Sequence, residues 1–322
     1  MSRSIKIVGT IVALFLLTGV GAIAWASVAS ERMLGRNFDV HSVDFPVPFP
    51  LTDEEVAEAG LTPEEAEIAA LERAIERGRH LVEARYACSD CHGADFGGGV
   101  MVDAPPIGSL LGPNLTMGEG SRTLNYTPAD WDAIVRHGVR SDGRPAVMPS
   151  TEFRSMSDQE LSDIVTYIRA QPPVDAAVPE PTLGPLGKLL LAKGDIPLSA
   201  DLLAALTEHD GLPPAAEVSL EFGGHLAAPC SGCHGPNLTG GPIPGGDPSW
   251  LPARNLTPHE DGLAGWSFED FEGAMREGVR PDGTALQMPM TLALPYTSNL
   301  TDVEVRALWL FLESLDPAAT PD

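Results

Sequence analysis

Apolar positions recur at helical spacing near the end of each half of this chain. Leu161, Ile164, Val165 and Ile168 fall at i, i+3, i+4 and i+7, and Val305, Leu308, Trp309 and Leu312 follow the same template. Each run is introduced by a reciprocal N-cap signal, Ser157-x-x-Glu160 and Thr301-x-x-Glu304, in which a hydroxyl and a carboxylate satisfy first-turn amides. A Glu-rich segment from Pro63 to Arg85 reads as a further helix, and Leu186 to Leu191 as a short apolar helix lying across a neighbouring unit. No segment between the helices reads as an alternating strand, so the pattern predicts an all-α fold with long Gly/Pro loops.

At the N-terminus the periodicity gives way to a continuous run. Ile7 to Ala26 carries no charge over 20 residues, and Arg3 and Lys6 precede it. Twenty helical residues rise about 30 Å, enough to cross a bilayer core, and the flanking cations orient the remainder of the chain outward. The expectation is a retained transmembrane anchor in the cytoplasmic membrane with the rest of the chain in the periplasm. The competing reading is a cleaved signal ending near Ala24-Trp25-Ala26. A Pro-punctuated stretch, Phe45 to Pro50, follows as an extended spacer.

The chain then repeats itself, which reorganises everything after the anchor. Arg136-His-Gly-Val-Arg-Ser-Asp-Gly143 recurs as Arg276-Glu-Gly-Val-Arg-Pro-Asp-Gly283, with six of eight residues identical at an offset of 140. Around it, Gly78 and His80 match Gly223 and His225, Cys88-Ser-Asp-Cys-His92 matches Cys230-Ser-Gly-Cys-His234, Asn114-Leu-Thr116 matches Asn255-Leu-Thr257, and Met148-Pro149 matches Met288-Pro289. The expected layout is an anchor at 1–27, a spacer at 28–65, domain 1 at 66–175, a connector at 176–216, domain 2 at 217–317 and a tail at 318–322.

The two Cys-x-x-Cys-His segments use all four cysteines. Two thiols at this spacing can each form a thioether to a porphyrin edge, and the adjacent imidazole reaches the iron. The motif therefore predicts two haem c groups on Cys88, Cys91, Cys230 and Cys233, with His92 and His234 as axial ligands. A redox dithiol needs no histidine, and a zinc ribbon spaces its Cys pairs far more closely than Cys91 and Cys230. The matched Met148 and Met288, 56 and 54 residues after their histidines, are the expected sixth ligands, with Met290 the alternative to Met288. His/Met ligation raises a potential and suits an electron carrier. The paired His80 and His225 would be the rival ligands, but they sit on the same helical approach as the Cys motif. His137 has Glu277 at its repeat position, which excludes a shared ligand role; His41, His209 and His259 read as solvated, and Met101, Met117, Met156 and Met275 as packing residues.

From these motifs each module resembles a class I cytochrome c. Gly112-Pro-Asn-Leu115 is similar to the loop whose proline carbonyl, in that family, accepts the N–H of the ligating histidine. The resemblance assigns this role to Pro113 for His92 and to the Arg254 carbonyl for His234, and it implies that Gly78 and Gly223 allow close helix crossing. Over residues 66–317 and the anchor, the chain resembles the cytochrome c subunits of periplasmic alcohol, gluconate and aldehyde dehydrogenases, although those usually carry three modules.

With 30 prolines, 33 glycines and 6% aromatics, two macrocycles would complete cores that side chains alone fill sparsely. The net charge of −25 disfavours nucleic acid and favours basic protein partners. The expected function is electron transfer, not catalysis, between a membrane or periplasmic donor and an acceptor. A dehydrogenase, a quinol-oxidising complex or a terminal oxidase would be the redox partner. The alternative is a dihaem enzyme such as a peroxidase or a thiosulfate-oxidising cytochrome, which needs one open iron site. The recurring Asn-x-Thr at Asn114 and Asn255 belongs to the repeat and not to glycosylation.

Overall fold

The computed structural model describes residues 3–41, 43–244, 246–247 and 249–321. It opens with α1 (Arg3–Leu34), one unbroken helix. The short α2 (Asp53–Ala59) and the longer α3 (Pro63–His80) each start at a Thr–Glu capping box. A π-helical turn, Leu81–Tyr86, then leads to α4 (Cys88–His92). A hairpin of β1 (Gly99–Ala104) and β2 (Gly108–Gly112) follows, and α5 (Pro128–His137) and α6 (Asp158–Arg169) close the first module. The connector supplies β3 (Thr182–Leu183), α7 (Pro185–Lys193) and the turn α8 (Ser199–Leu202). The second module comprises α9 (Leu220–Ala227), α10 (Ser231–His234), α11 (Phe268–Glu277), α12 (Met290–Thr297) and α13 (Asp302–Glu313).

The fold is helix-rich, but a three-stranded antiparallel sheet, β1-β2-β3, corrects the expectation of helices alone. Register shifts between Val100 and Val102, leaving Met101 as the extra residue of a bulge. A bulge interrupts the period of two, and six residues leave too little alternation on either side to read as a strand.

Both predicted closing helices form, with both capping boxes in place. Leu161, Ile164, Val165 and Ile168 are buried in the first core with Leu81, Tyr86 and Trp131. Val305, Leu308 and Leu312 are buried in the second, and half-buried Trp309 packs at 5.4 Å from the Phe271 ring. α3 crosses α6 at Gly78, where a Cβ would stand 2.1 Å from the Asp163 carbonyl oxygen. α9 crosses α13 at Gly223, where it would stand 2.0 Å from the Ala307 carbonyl oxygen. Gly78→Ala is therefore expected to destabilise the protein by about 1–3 kcal/mol or more, through forced separation of two packed helices. A denaturant midpoint identical to that of the parent would show that the crossing tolerates a methyl group.

The lower end of α1 docks on the protein: Ala26 and Ser30 are buried, and Lys188 of α7 lies 3.7 Å from Glu31. Further up, Ile7, Ile11, Leu14, Leu17, Val20 and Ile23 are all exposed. Among the described residues no helix is long and apolar enough to cross a membrane. The anchor expectation falls partly outside them, because the side chains of Arg3, Lys6 and positions 8, 9, 12, 15 and 16 are not described.

The two modules meet through the same elements in exchanged roles. His225 Nε2 lies 2.9 Å from Glu160 Oε1, while His80 Nε2 lies 2.9 Å from both oxygens of Glu304. Arg85 joins the two pairs, donating to Glu160 Oε1 at 2.9 Å and to Glu304 Oε1 at 2.7 Å. Each glutamate also uses Oε2 to cap its own helix, at the Ser157 and Thr301 amides. Burial alone pushes the Glu304 carboxyl up, but the His80 hydrogen bond, the Arg85 charge and the Thr301 amide outweigh it and hold it at about 2. Glu160 is lowered in the same way, its burial outweighed by the His225 hydrogen bond and the His225 and Arg85 charges. The matched histidines of the repeat thus serve the interface between modules.

Candidate haem-binding sites

In the first module Ala87 takes a left-handed conformation (φ 46°), which turns the chain from the π-helical turn into α4. This brings Cys88, Cys91 and His92 onto the wall of a cavity of about 520 Å³, and Met148 lines the same cavity. His92 Nδ1 donates to the Pro113 carbonyl at 2.9 Å. Because a carbonyl only accepts, this bond leaves Nε2 with its lone pair available to a metal. Burial lowers the His92 pKa against the opposing Pro113 bond, so the ring is held in its neutral, ligating form.

Burial pushes the Cys88 thiol up to about 12 and the Cys230 thiol to about 11. Burial raises Cys91 and Cys233 as well, the direction opposite to the lowering a redox dithiol needs. The rest of the cavity fits an amphipathic macrocycle. Leu110, Leu115, Trp131, Ile164 and Ile168 supply apolar walls, and Arg122, Arg140 and Arg144 add cations matched to two carboxylate side chains. Arg122 and Arg140 both pair with Glu180 of the connector at 3.1 Å. Sequence reading missed these arginines, although Arg140 recurs as Arg280 in the repeat and could have been found there.

The second module keeps the plan on a more open face. His234 Nδ1 donates to the Arg254 carbonyl at 2.6 Å, so a backbone oxygen does the same work without proline. Cys230 packs against the second core, whereas Cys233 is exposed. Met288 is 44% exposed and its sulfur accepts from Thr291 Oγ1 at 2.9 Å; Met290 packs on the core.

The matched asparagines hold the loops that carry these carbonyls. Asn114 Oδ1 accepts from the Thr116 amide and hydroxyl while Nδ2 donates to the Val174 carbonyl, and Asn255 does the same with Thr257 and the Ala318 carbonyl. Both side chains are buried and closed to modification.

Each Cys-x-x-Cys segment is touched by the helical turn that follows the other module's Met-Pro. The Glu152 carboxylate lies against Gly232, where a Cβ would meet it at 2.1 Å. Conversely, the Tyr296 hydroxyl of α12 donates to Asp90 and lies 3.4 Å from Ser89. Sequence spacing within one module could not reveal a contact made by the other.

Other expectations divide. Met156 and Met275 are buried packing residues, but Met101 and Met117 are exposed, and Met101 and Met156 both line the first cavity. His41 is exposed and His259 half-buried. His209 is not solvated: its side chain is 1% exposed, enclosed by the connector folding back onto α5.

Residues 73–168 match the family described as cytochrome c oxidase, cbb3-type, subunit III, and residues 223–316 match the family described as cytochrome c. The chain is similar to the gluconate 2-dehydrogenase cytochrome c subunit of Pantoea cypripedii, 27% identical over 274 residues, which cover 75% of this chain and 59% of that protein. It is also similar to the cytochrome c subunit of alcohol dehydrogenase (quinone) from Gluconacetobacter polyoxogenes, 27% identical with 70% and 52% covered. A diheme cytochrome c-type protein of Cereibacter sphaeroides is 27% identical with 70% and 81% covered. The chain thus spans little more than half the length of the two dehydrogenase subunits.

Proposed function

Because each half of the chain is a cytochrome c domain, and the whole is an electron-transfer dihaem cytochrome with two haem c groups, we propose that it relays electrons from a dehydrogenase to an acceptor while tethered to a membrane. One haem is assigned to Cys88, Cys91, His92 and Met148, the other to Cys230, Cys233, His234 and Met288. Bound haem iron supplies one-electron exchange between its ferrous and ferric states. The chain's own groups set the conditions for that exchange. The Pro113 and Arg254 carbonyls orient the imidazoles and raise their basicity, a methionine sulfur favours the ferrous state, and the apolar cavity excludes water.

The observation that carries the relay is the crossed contact of the two Cys-x-x-Cys segments with the partner module's helical turns, Glu152 on Gly232 and Tyr296 on Asp90. It sets a side chain of each module against the other's attachment segment, which supports passage of electrons between them. The −25 charge suits basic docking surfaces. The uncharged run from Ile7 to Ala26 within α1, with its exposed apolar side chains, supports a single-pass tether with the haem domains in the periplasm.

The test is reduction of the purified holoprotein by a quinone-dependent dehydrogenase, followed by stopped-flow absorbance. Both haems should be reduced, with a rate that falls as salt is raised, and the resting ferric protein should be low-spin at both irons and inert toward peroxide. A resting high-spin haem together with peroxide turnover would replace the relay by the dihaem enzyme reading. The tether predicts that the chain stays in carbonate-washed membranes; recovery in the soluble fraction would remove it.

A further inference from the structure

At the C-terminal end of α5, two imidazoles lie buried against each other. His137 sits at the end of α5 and His209 on the connector, their rings 5.0 Å apart and nearly perpendicular. The side chains are 0% and 1% exposed, and among the described residues none of their four ring nitrogens has a hydrogen-bond partner. The Leu203 carbonyl lies near the His137 ring, outside hydrogen-bond geometry. A buried polar group left unbonded costs about 1–3 kcal/mol, so two such rings packed together ask for a ligand.

The third member is Asp132. Its Oδ2 lies 3.9 Å from His137 Nε2, its Oδ1 lies 4.0 Å from His209 Nδ1, and one donor atom from each of the three residues falls within 4.8 Å of the others. The carboxylate is already oriented, accepting from Arg136 Nε at 2.6 Å and from the Val43 amide at 2.5 Å, and its oxygens retain further lone pairs. We propose that Asp132, His137 and His209 form a binding site for a divalent cation of the zinc class.

Two imidazoles and a carboxylate are a donor set that such cations take, with a fourth position left for water. Donors about 2.0–2.1 Å from a tetrahedral ion stand about 3.3 Å from each other. The two histidine–carboxylate separations therefore close by about 0.6–0.7 Å and the widest donor pair by up to about 1.5 Å, which requires rotation of both imidazole side chains toward Asp132. A cleft lined by His41, Asp158, Glu208 and His209 opens beside the cluster and gives the ion and its water a way in. Burial lowers the pKa of both rings, that of His209 to about 4, so no proton competes for the ligating nitrogens near neutrality.

The site belongs to the first module alone. The acid–arginine pair recurs as Glu272–Arg276, so its structural role is shared, but Glu277 stands where His137 does. The cation would pin the connector to α5. Nearby, Ser199 Oγ of that connector donates to the Met148 carbonyl at 2.7 Å, so the same segment steadies the methionine loop.

The test is zinc bound by the holoprotein after loading and desalting, measured against haem iron by mass spectrometry. The expected result is about one zinc per two irons, with His137→Gln and His209→Gln each weakening zinc by roughly tenfold or more in chelator competition. Zinc X-ray absorption on the parent protein, which does not depend on the variants folding, should show two imidazoles and oxygen at about 2.0–2.1 Å. Parent protein that desalts essentially free of zinc, variants that hold it as tightly as the parent, or a shell without imidazole would each overturn the site.

Discussion

Arg85→Leu is expected to cost about 3–5 kcal/mol, because it strands two buried carboxylates without their shared cation. Glu160 and Glu304 are each only 3% exposed, and among the described residues Arg85 alone bonds both. For a protein of this size the loss corresponds to a fall in Tm of roughly 4–8 °C. Arg85→Lys should recover only part of it, since an ammonium cannot present the guanidinium's fork to two acceptors.

The same network has a pH signature whose sign follows from Glu304. Its carboxyl is held at about 2 in the folded protein against an ordinary 4.5. The stabilisation is complete above pH 4.5 and is lost as pH falls through that window toward 2. The groups facing it are His80, Arg85 and the Thr301 cap. Acid unfolding of the Arg85→Leu protein should accordingly begin at higher pH than in the parent. Calorimetry from pH 7 to 3 measures both effects. A variant melting within a degree of the parent at neutral pH would show that the two carboxylates do not need Arg85.

Met148→Leu is expected to lower the potential of one haem by on the order of 0.2 V, a fraction of the ~0.8 V range that axial ligands command. Volume is nearly kept, so the fold should lose less than about 1.5 kcal/mol. The variant should also lose about half of the long-wavelength sulfur-to-iron charge-transfer absorption, that of one haem in two, and gain a high-spin ferric component. Met288→Leu should remove the other half. If Met290→Leu does so instead, the ligand is the methionine that packs on the second core. Should Met148→Leu leave potential and spectrum unchanged, the ligand would have to be sought at Met101 or Met156, which line the same cavity.

Local chemistry was legible wherever its partners lie close along the chain. Both capping boxes, the buried stripe of α6 and the two Cys-x-x-Cys-His motifs follow from spacing alone, since one helical turn or one short loop brings the groups together. The β1-β2 hairpin was not legible, because its bulge at Met101 spoils the alternation. The burial of His209 was missed for another reason: its neighbours come from α5 and from the spacer, over 70 and 160 residues away in the chain.

By itself, then, the sequence determined that there are two equivalent modules, and it named a Cys-Cys-His and a methionine in each. Those are properties of a repeat, and a repeat survives without coordinates. Only the tertiary structure decided what the matched His80 and His225 do, because each finds its partner in the other module's capping glutamate. It also decided that Arg85 joins those partners and that each Cys-x-x-Cys segment is touched from across the interface. The reason is physical: a repeat prescribes the two modules separately, whereas burying their facing surfaces favours the arrangement in which Glu160 and Glu304 share Arg85 and each bonds the other module's histidine.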